Sequence, residues 1–74
     1  MAVNLLQLQN NKWAKVIDIT GGFGFIRRLE NLGIRVGIRI LKISGISGPV
    51  IVKVGQAQVA IGRGMASKII VEEQ

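Results

Sequence analysis

The chain has 74 residues, of which 49% are hydrophobic, and its formal net charge at neutral pH is +6. This length allows one domain, and a domain so small needs a rich apolar core to fold alone. The hydrophobic content excludes a disordered chain, no apolar run reaches the ~20 residues of a membrane span, and no signal-peptide pattern follows Met1. We therefore expect a single domain over residues 1–74 that is cytoplasmic and not embedded in a membrane.

The sequence offers few groups for catalysis or metal binding. It contains no cysteine, histidine or tyrosine, so thiolates, imidazoles and phenols are all missing. Its four side-chain carboxylates are Asp18, Glu30, Glu72 and Glu73. A pair of carboxylates would hold a hard cation only weakly, so we predict ordinary surface residues. The sequence accordingly predicts no enzyme, no tightly bound metal and no cofactor.

Alternating patterns and β-branched residues predict five short strands. Before them, Leu5 and Leu8 stand three residues apart, which indicates a single turn that covers the core. Asn10 and Asn11 then indicate a tight turn, because asparagine tolerates positive φ. The predicted strands are residues 13–19, 38–44, 50–54, 56–61 and 69–73.

The spacing of the apolar residues changes between the first two strands. The sequence GGFG at 21–24 lacks the other residues of a phosphate-binding or dinucleotide-binding loop, so it predicts a turn. An apolar stripe at helical spacing then predicts a helix, and its residues are Phe25, Ile26, Leu29 and Leu32. Because this helix is short, it must dock on the sheet to be stable. Gly33 suits the left-handed residue that ends a helix. Residues 62–68 fit one further helical turn.

The order of these elements predicts the fold class. Short turns between successive strands are typical of an antiparallel meander. Five short strands in one small chain bury their apolar faces best by curling into a barrel, which also limits exposed edges. The sequence therefore predicts a mainly β protein, a small five-stranded SH3-like barrel with a short helix in the connection between its first two strands.

Four arginines in or after the predicted helix form the candidate partner-binding site: Arg27, Arg28, Arg35 and Arg39. They could present a basic patch to an acidic partner. The alternative is a solvated helix face, on which each exposed charge contributes little. Nucleic acid is another partner that suits the positive charge. Stable nucleic-acid binding is not expected, because the sequence predicts no exposed aromatic platform and carries no RNA-recognition or zinc-finger signature.

The order of motifs resembles the ferrous iron transport protein A family over nearly the whole chain. The resemblance lies in a basic RRL..LG helix at residues 27–33, in the glycine turn at Gly37, and in the tail AIGRGMASKIIV at residues 60–71. The leucine-containing N-terminal turn, the first strand and the GP turn also match. Two turn positions depart from the family pattern, Asn11 and Val36, where glycine and proline are common.

The resemblance implies an SH3-like barrel with an accessory role in ferrous iron uptake. Such proteins are thought to act with a large membrane protein, ferrous iron transport protein B. The implied partner is its cytoplasmic GTPase-containing part, which would recruit the chain to the inner face of the membrane. The same barrel is appended to iron-dependent repressors, so a regulatory domain that binds a transition metal is an implied alternative. A short barrel edge would also allow a homodimer.

Overall fold

The computed structural model describes residues 1–74 and contains six strands and two short helices. In chain order these are β1 Ala2–Asn4, β2 Lys12–Ile19, α1 Phe23–Asn31, β3 Arg39–Ser44, β4 Val50–Val54, β5 Ala57–Ile61, α2 Arg63–Ala66 and β6 Ile69–Glu73. All five predicted strands are present as β2 to β6, and the predicted helix lies between the first two of them. The further helical turn is α2.

All six strands form one antiparallel sheet in the order β1-β6-β2-β3-β4-β5. Strands β2 to β5 are the predicted meander, and β6 returns to pair with the free side of β2. The register shifts twice, between Val16 and Asp18 in β2 and between Lys42 and Ser44 in β3. Such irregularities bend a strand and increase its twist. The outcome is the mainly β, SH3-like fold that the sequence predicts.

The sixth strand, β1, corrects the predicted count of five. It pairs along its whole length with β6, with Ala2 opposite Glu72. A segment of three residues carries no alternation of its own, so only its distant partner makes it a strand. The predicted N-terminal turn follows β1, because the Asn4 side-chain oxygen accepts hydrogen bonds from the backbone N–H groups of Leu6 and Gln7.

Fourteen buried hydrophobic residues form one cluster inside the sheet. The alternation is clearest in β2, where Ala14 and Val16 are fully buried and Trp13 and Lys15 are exposed. Each fully buried Leu, Ile or Val side chain contributes about 1.5–3 kcal/mol, which is how so short a chain offsets its ordering entropy. The other face of the sheet is therefore an outer face that carries Trp13 and Lys15.

Helix α1 is fixed on this core by one fully buried side chain and two half-buried ones. Leu29 is fully buried, and Phe25 and Ile26 pack partly against the cluster. The fourth residue of the predicted stripe, Leu32, is instead 42% exposed, which corrects that prediction. Its place is taken by Ile34, which is fully buried just beyond the end of the helix.

The end of α1 explains this exchange. Gly33 has a φ of +90°, as predicted for the left-handed residue. Its N–H group donates to the Glu30 carbonyl, and the Ile34 N–H group donates to the Leu29 carbonyl, both at 2.9 Å. This pair of bonds is the Schellman motif, in which an apolar residue after the helix contacts its last turn. The turn therefore buries Ile34 and leaves Leu32 outside.

The start of α1 also differs from the prediction. The helix begins at Phe23, because the Gly22 carbonyl accepts a hydrogen bond from the Ile26 N–H group at 3.1 Å. Half of the predicted turn at residues 21–24 is thus helical. The earlier start adds an aromatic residue, Phe23, to the exposed side of the helix.

Replacing Gly33 with alanine should lower the free energy of unfolding by about 1–2 kcal/mol. The positive φ disfavours any side chain, and a Cβ atom there would lie 3.3 Å from Cγ1 of Val54. Gly64 in α2 is the matched control, because a Cβ atom there meets nothing within 4 Å. Gly64→Ala should be neutral or slightly stabilising. Urea unfolding followed by circular dichroism measures both, and equal effects would contradict the role of Gly33.

Candidate functional site

An exposed phenylalanine and an arginine lie together at the start of α1. The Phe23 side chain is 78% exposed, whereas phenylalanine is among the residues most often buried. The guanidinium of Arg27 lies over its ring, with 5.5 Å between Cζ and the ring centroid. Residues four apart adjoin on a helix surface, and a guanidinium is attracted to the face of an aromatic ring. The two side chains therefore present an apolar ring and a positive charge at one place.

The end of α1 and the turn after it expose further apolar and basic groups. Arg28 is exposed next to Arg27, and Leu32 and Val36 are 42% and 57% exposed. We call Phe23, Arg27 and Arg28 the α1 surface; Leu32, four residues after Arg28, adjoins it, and Val36 follows in the turn after the helix. Large apolar side chains left exposed beside arginines are typical of protein-binding surfaces.

The structure divides the four predicted arginines among three elements. Arg27 and Arg28 lie on α1, Arg35 lies in the turn after it, and Arg39 begins β3. The Arg39 guanidinium lies over the ring of Trp13, 4.9 Å from its centroid, on the outer face of the sheet. The α1 surface includes two of the four arginines, and a binding role for any of them stays a prediction.

The expectation that the chain lacks an exposed aromatic platform is wrong. Besides Phe23, Trp13 is 40% exposed on the outer face of the sheet. In the register of the sheet, Trp13 lies opposite Leu41, and Leu41 lies opposite Lys53. Lys15 is on the same face, because side chains two residues apart in a strand point the same way. The alternation of Trp13 and Lys15 with apolar residues was the signal in the sequence.

No carboxylate forms an ion pair with these basic side chains, although Glu72 lies opposite Lys15 in the sheet register. The one ion pair in the chain joins Nζ of Lys12 and Oε2 of Glu73 at 3.9 Å, between exposed side chains. The chain has ten basic residues and four acidic ones, so the α1 surface and the outer face of the sheet are both positively charged. Each would attract an acidic partner from a distance.

Lys42 is a buried charge that the sequence reasoning missed. It is only 2% exposed, and Nζ donates hydrogen bonds to the carbonyls of Leu5, Leu6 and Leu8 at 3.0, 3.1 and 2.6 Å. Burial lowers the pKa of Lys42, and the nearby positive charge of Arg63 lowers it further. The three carbonyls oppose this by stabilising the protonated form. The signal in the sequence is a lysine in phase with the inward residues of β3.

The acidic residues that the sequence singled out have ordinary surroundings. The Asp18 carboxylate accepts a hydrogen bond from the Ile19 N–H group at 2.9 Å, and Glu73 faces Lys12. No group of three or more His, Cys, Asp or Glu side chains that could hold a metal ion is present. Neither of the two helices has the length and apolar content needed to cross a membrane.

The fold and this surface define a class: a small SH3-like barrel whose helix presents arginines beside exposed apolar side chains. Comparison with known families identifies it more closely. The FeoA domain family matches residues 3–73, and the chain belongs to this family. The family is associated with ferrous iron transport, which confirms the resemblance drawn from the sequence motifs.

Individual relatives agree with this assignment. A protein of Methanocaldococcus jannaschii, named as an Fe(2+) transport protein A, is 42% identical over 58 residues, which cover 78% of this chain and 71% of that protein. The crystal structure of an iron uptake regulatory protein, FeoA, has a TM-score of 0.92 at 30% identity and covers 100% of this chain and 99% of its own. A manganese-dependent transcriptional repressor shares the fold, with a TM-score of 0.88 at 21% identity, over 99% of this chain and 42% of the repressor.

Proposed function

We propose that the chain is a cytoplasmic accessory protein of ferrous iron uptake that binds the cytoplasmic GTPase-containing part of the membrane transporter, ferrous iron transport protein B. The observation that carries the proposal is the α1 surface, where Phe23 is 78% exposed beneath the guanidinium of Arg27. A few residues carry most of the binding energy at protein interfaces, and aromatic residues and arginines are enriched at interfaces. The association of the family with ferrous iron transport supports the choice of partner.

The barrel would act as a rigid support for this surface. Leu29 on the inner side of α1 and Ile34 after it are fully buried, so the core fixes the orientation of the helix. A preorganised surface loses little conformational entropy on binding. Phe23 would enter an apolar pocket of the partner, while Arg27 and Arg28 would face carboxylates at the rim and speed the encounter.

Calorimetric titration of the chain into the purified cytoplasmic part of the transporter from the same organism tests this proposal. We expect saturable one-to-one binding with a dissociation constant of about 1–10 μM, as for a small transient interface. An unrelated GTPase domain of similar net charge is the control and should not bind. Absence of heat, or equal binding to the control domain, would contradict the proposed partner.

Phe23→Ala should weaken this binding at least about tenfold and leave the stability of the chain within about 0.5 kcal/mol of the wild type. The side chain is largely exposed, so its loss removes a binding anchor and little of the core. Trp13→Ala is the comparison variant, because it removes the other exposed aromatic ring and should leave the affinity unchanged. Calorimetry and urea unfolding measure the two effects. The α1 surface would be the wrong surface if Trp13→Ala weakened binding and Phe23→Ala did not.

A second candidate function is the binding of single-stranded nucleic acid on the outer face of the sheet. The observation that favours it is the exposed ring of Trp13, with the Arg39 guanidinium 4.9 Å away and Lys15 and Lys53 on the same face. Stacking of a base on such a ring contributes about 1–3 kcal/mol. Fluorescence titration with an oligonucleotide should then show affinity that falls steeply between about 50 and 200 mM salt. A flat response to salt, or no binding, would exclude it.

A further inference from the structure

We propose that a cavity between the N-terminal turn and the β3–β4 turn binds a carboxylate carried on a short apolar group. The cavity has a volume of about 280 Å³ and its two charged lining residues are Lys42 and Arg63. No acidic residue lines it, and none of its lining residues belongs to the α1 surface. This site is therefore separate from the proposed contact with the transporter.

Two cations without a carboxylate make the cavity positive. Lys42 is almost fully buried, and its ammonium group is held by three backbone carbonyls. The pKa of Lys42 is lowered by burial and also by the charge of Arg63, so the two cations repel each other. Arg63 is exposed, so water screens its charge, whereas the charge of Lys42 is almost entirely shielded from water. A bound anion would relieve this repulsion.

Arg63 offers one unused edge of its guanidinium group. Its Nη1 atom donates to the carbonyls of Gly45 and Gly48 at 2.7 and 3.3 Å, which fixes the group against the β3–β4 turn. Nε and Nη2 make no hydrogen bond within the chain. These two nitrogens form a planar edge that matches the two oxygens of a carboxylate. An immobilised guanidinium with one free edge is thus in place before any ligand binds.

The rest of the cavity wall favours a carboxylate over a simple inorganic anion. Leu6, Leu8 and Ile46 form its apolar part, and Gln9 and Asn10 add amide groups. Phosphate would suit the charge but would leave the apolar side chains uncovered. The C-terminal residue of a polypeptide, or a glutamate side chain, carries a carboxylate on an apolar group and would satisfy both parts of the wall.

NMR titration of the ¹⁵N-labelled chain with N-acetyl-leucine tests the proposal. The Nε–H signal of Arg63 should shift and saturate, with a dissociation constant of about 1–10 mM for so small a ligand. The neutral isostere N-acetyl-leucinamide should cause no saturable shift. N-acetylglutamate α-amide carries its carboxylate on the side chain, whereas N-acetyl-leucine carries it at the C-terminal position. The lower of the two dissociation constants shows which source of carboxylate the site prefers. Tighter binding of inorganic phosphate, or an equal response to the neutral amide, would overturn the proposal.

Gln9→Glu gives a test that leaves Arg63 and its two bonds to the turn untouched. It adds a carboxylate at the wall of the cavity, which should reduce the affinity for N-acetyl-leucine at least about tenfold while the remaining signals keep their positions. Lys68→Gln is the matched control, because it changes the net charge by the same amount at an exposed residue outside the cavity and should leave the affinity unchanged. Unaltered binding by Gln9→Glu, or an equal loss in Lys68→Gln, would refute the site.

Discussion

Replacing Lys42 with methionine should lower the free energy of unfolding by about 2–4 kcal/mol. Methionine keeps the apolar stem and most of the volume but cannot donate to the carbonyls of Leu5, Leu6 and Leu8, which Nζ reaches at 3.0, 3.1 and 2.6 Å. A buried polar group left without a partner costs about 1–3 kcal/mol. Two effects offset some of that cost: the variant no longer buries a charge, and the bond to the Leu6 carbonyl is only partly buried. The loss is a large part of the stability that a small domain has.

Lys12→Met is the control for this variant. Lys12 is exposed and makes only the ion pair with Glu73 at 3.9 Å, so its loss should change the stability by less than about 0.5 kcal/mol. Urea unfolding followed by circular dichroism compares the two variants. If Lys42→Met were as stable as Lys12→Met, the three carbonyl bonds would not hold the N-terminal turn to the barrel.

The difference in stability between the wild type and Lys42→Met should change with pH in a definite direction. Burial and the charge of Arg63 lower the pKa of Lys42 in the folded chain from the ordinary value of 10.5. Between the folded pKa and 10.5 the unfolded chain therefore binds more protons than the folded one, so stability rises with pH across that window. The wild type should gain stability relative to Lys42→Met as the pH rises towards 10.5. A relative loss would mean that the three carbonyls outweigh burial and raise the pKa.

Reversing two charges on the α1 surface, Arg27→Glu with Arg28→Glu, should weaken binding to the transporter by about 2 kcal/mol, or roughly thirtyfold. The two arginines are exposed and make no ion pair within the chain, so the fold should be unaffected. The reversal also places a carboxylate beside Phe23, where Arg27 now lies over the ring. Calorimetry at one fixed salt concentration measures the change.

Lys12→Glu with Lys53→Glu is the control for total charge. Each reversal changes the charge by two, so both double variants have a net charge of 6 − 4, or +2. Because Lys12 and Lys53 lie on β2 and β4 rather than on α1, this variant should lose only the weak effect of long-range attraction. Equal weakening by the two double variants would show that the partner senses net charge and not the α1 surface.

Local patterns in the sequence were sufficient for most of the fold. β4 alternates inward valines with Ile51 and Lys53, whereas β2 was predicted from its β-branched residues and an imperfect alternation, and each became a strand with one face in the core. Gly33 was sufficient to predict the end of α1, because a glycine just after a helical apolar stripe is typical of the left-handed residue that ends a helix. These predictions succeed because each depends on neighbours within a few residues.

Other features depend on partners that are distant in the chain. β1 exists only because β6, nearly seventy residues later, pairs with it. Leu32 seemed to belong to the buried stripe, but the turn at Gly33 brings Ile34 into its place. Lys42 is buried because the carbonyls of the N-terminal turn surround its ammonium group. Neither propensity nor periodicity encodes these long-range contacts.

The candidate site could be predicted only in part, because some of its features also depend on the folded structure and not on neighbouring residues alone. The exposure of Arg27 and Arg28 could be predicted, because Arg27 lies opposite the apolar stripe of the helix and Arg28 lies at its flank. The exposure of Phe23 was not predicted, since it follows from the helix beginning two residues earlier than the stripe. Arg39 was grouped with the helix by its position in the chain, whereas the sheet places it over Trp13.

Mapping of the contact by NMR would show directly which surface of the chain binds the transporter. The ¹⁵N-labelled chain would be titrated with the unlabelled cytoplasmic part of the transporter, and the amide signals that shift or broaden would be assigned. We predict that the largest changes fall on the α1 surface, at Phe23, Arg27 and Arg28. Changes confined to the outer face of the sheet around Trp13, or no change at any ratio, would contradict it.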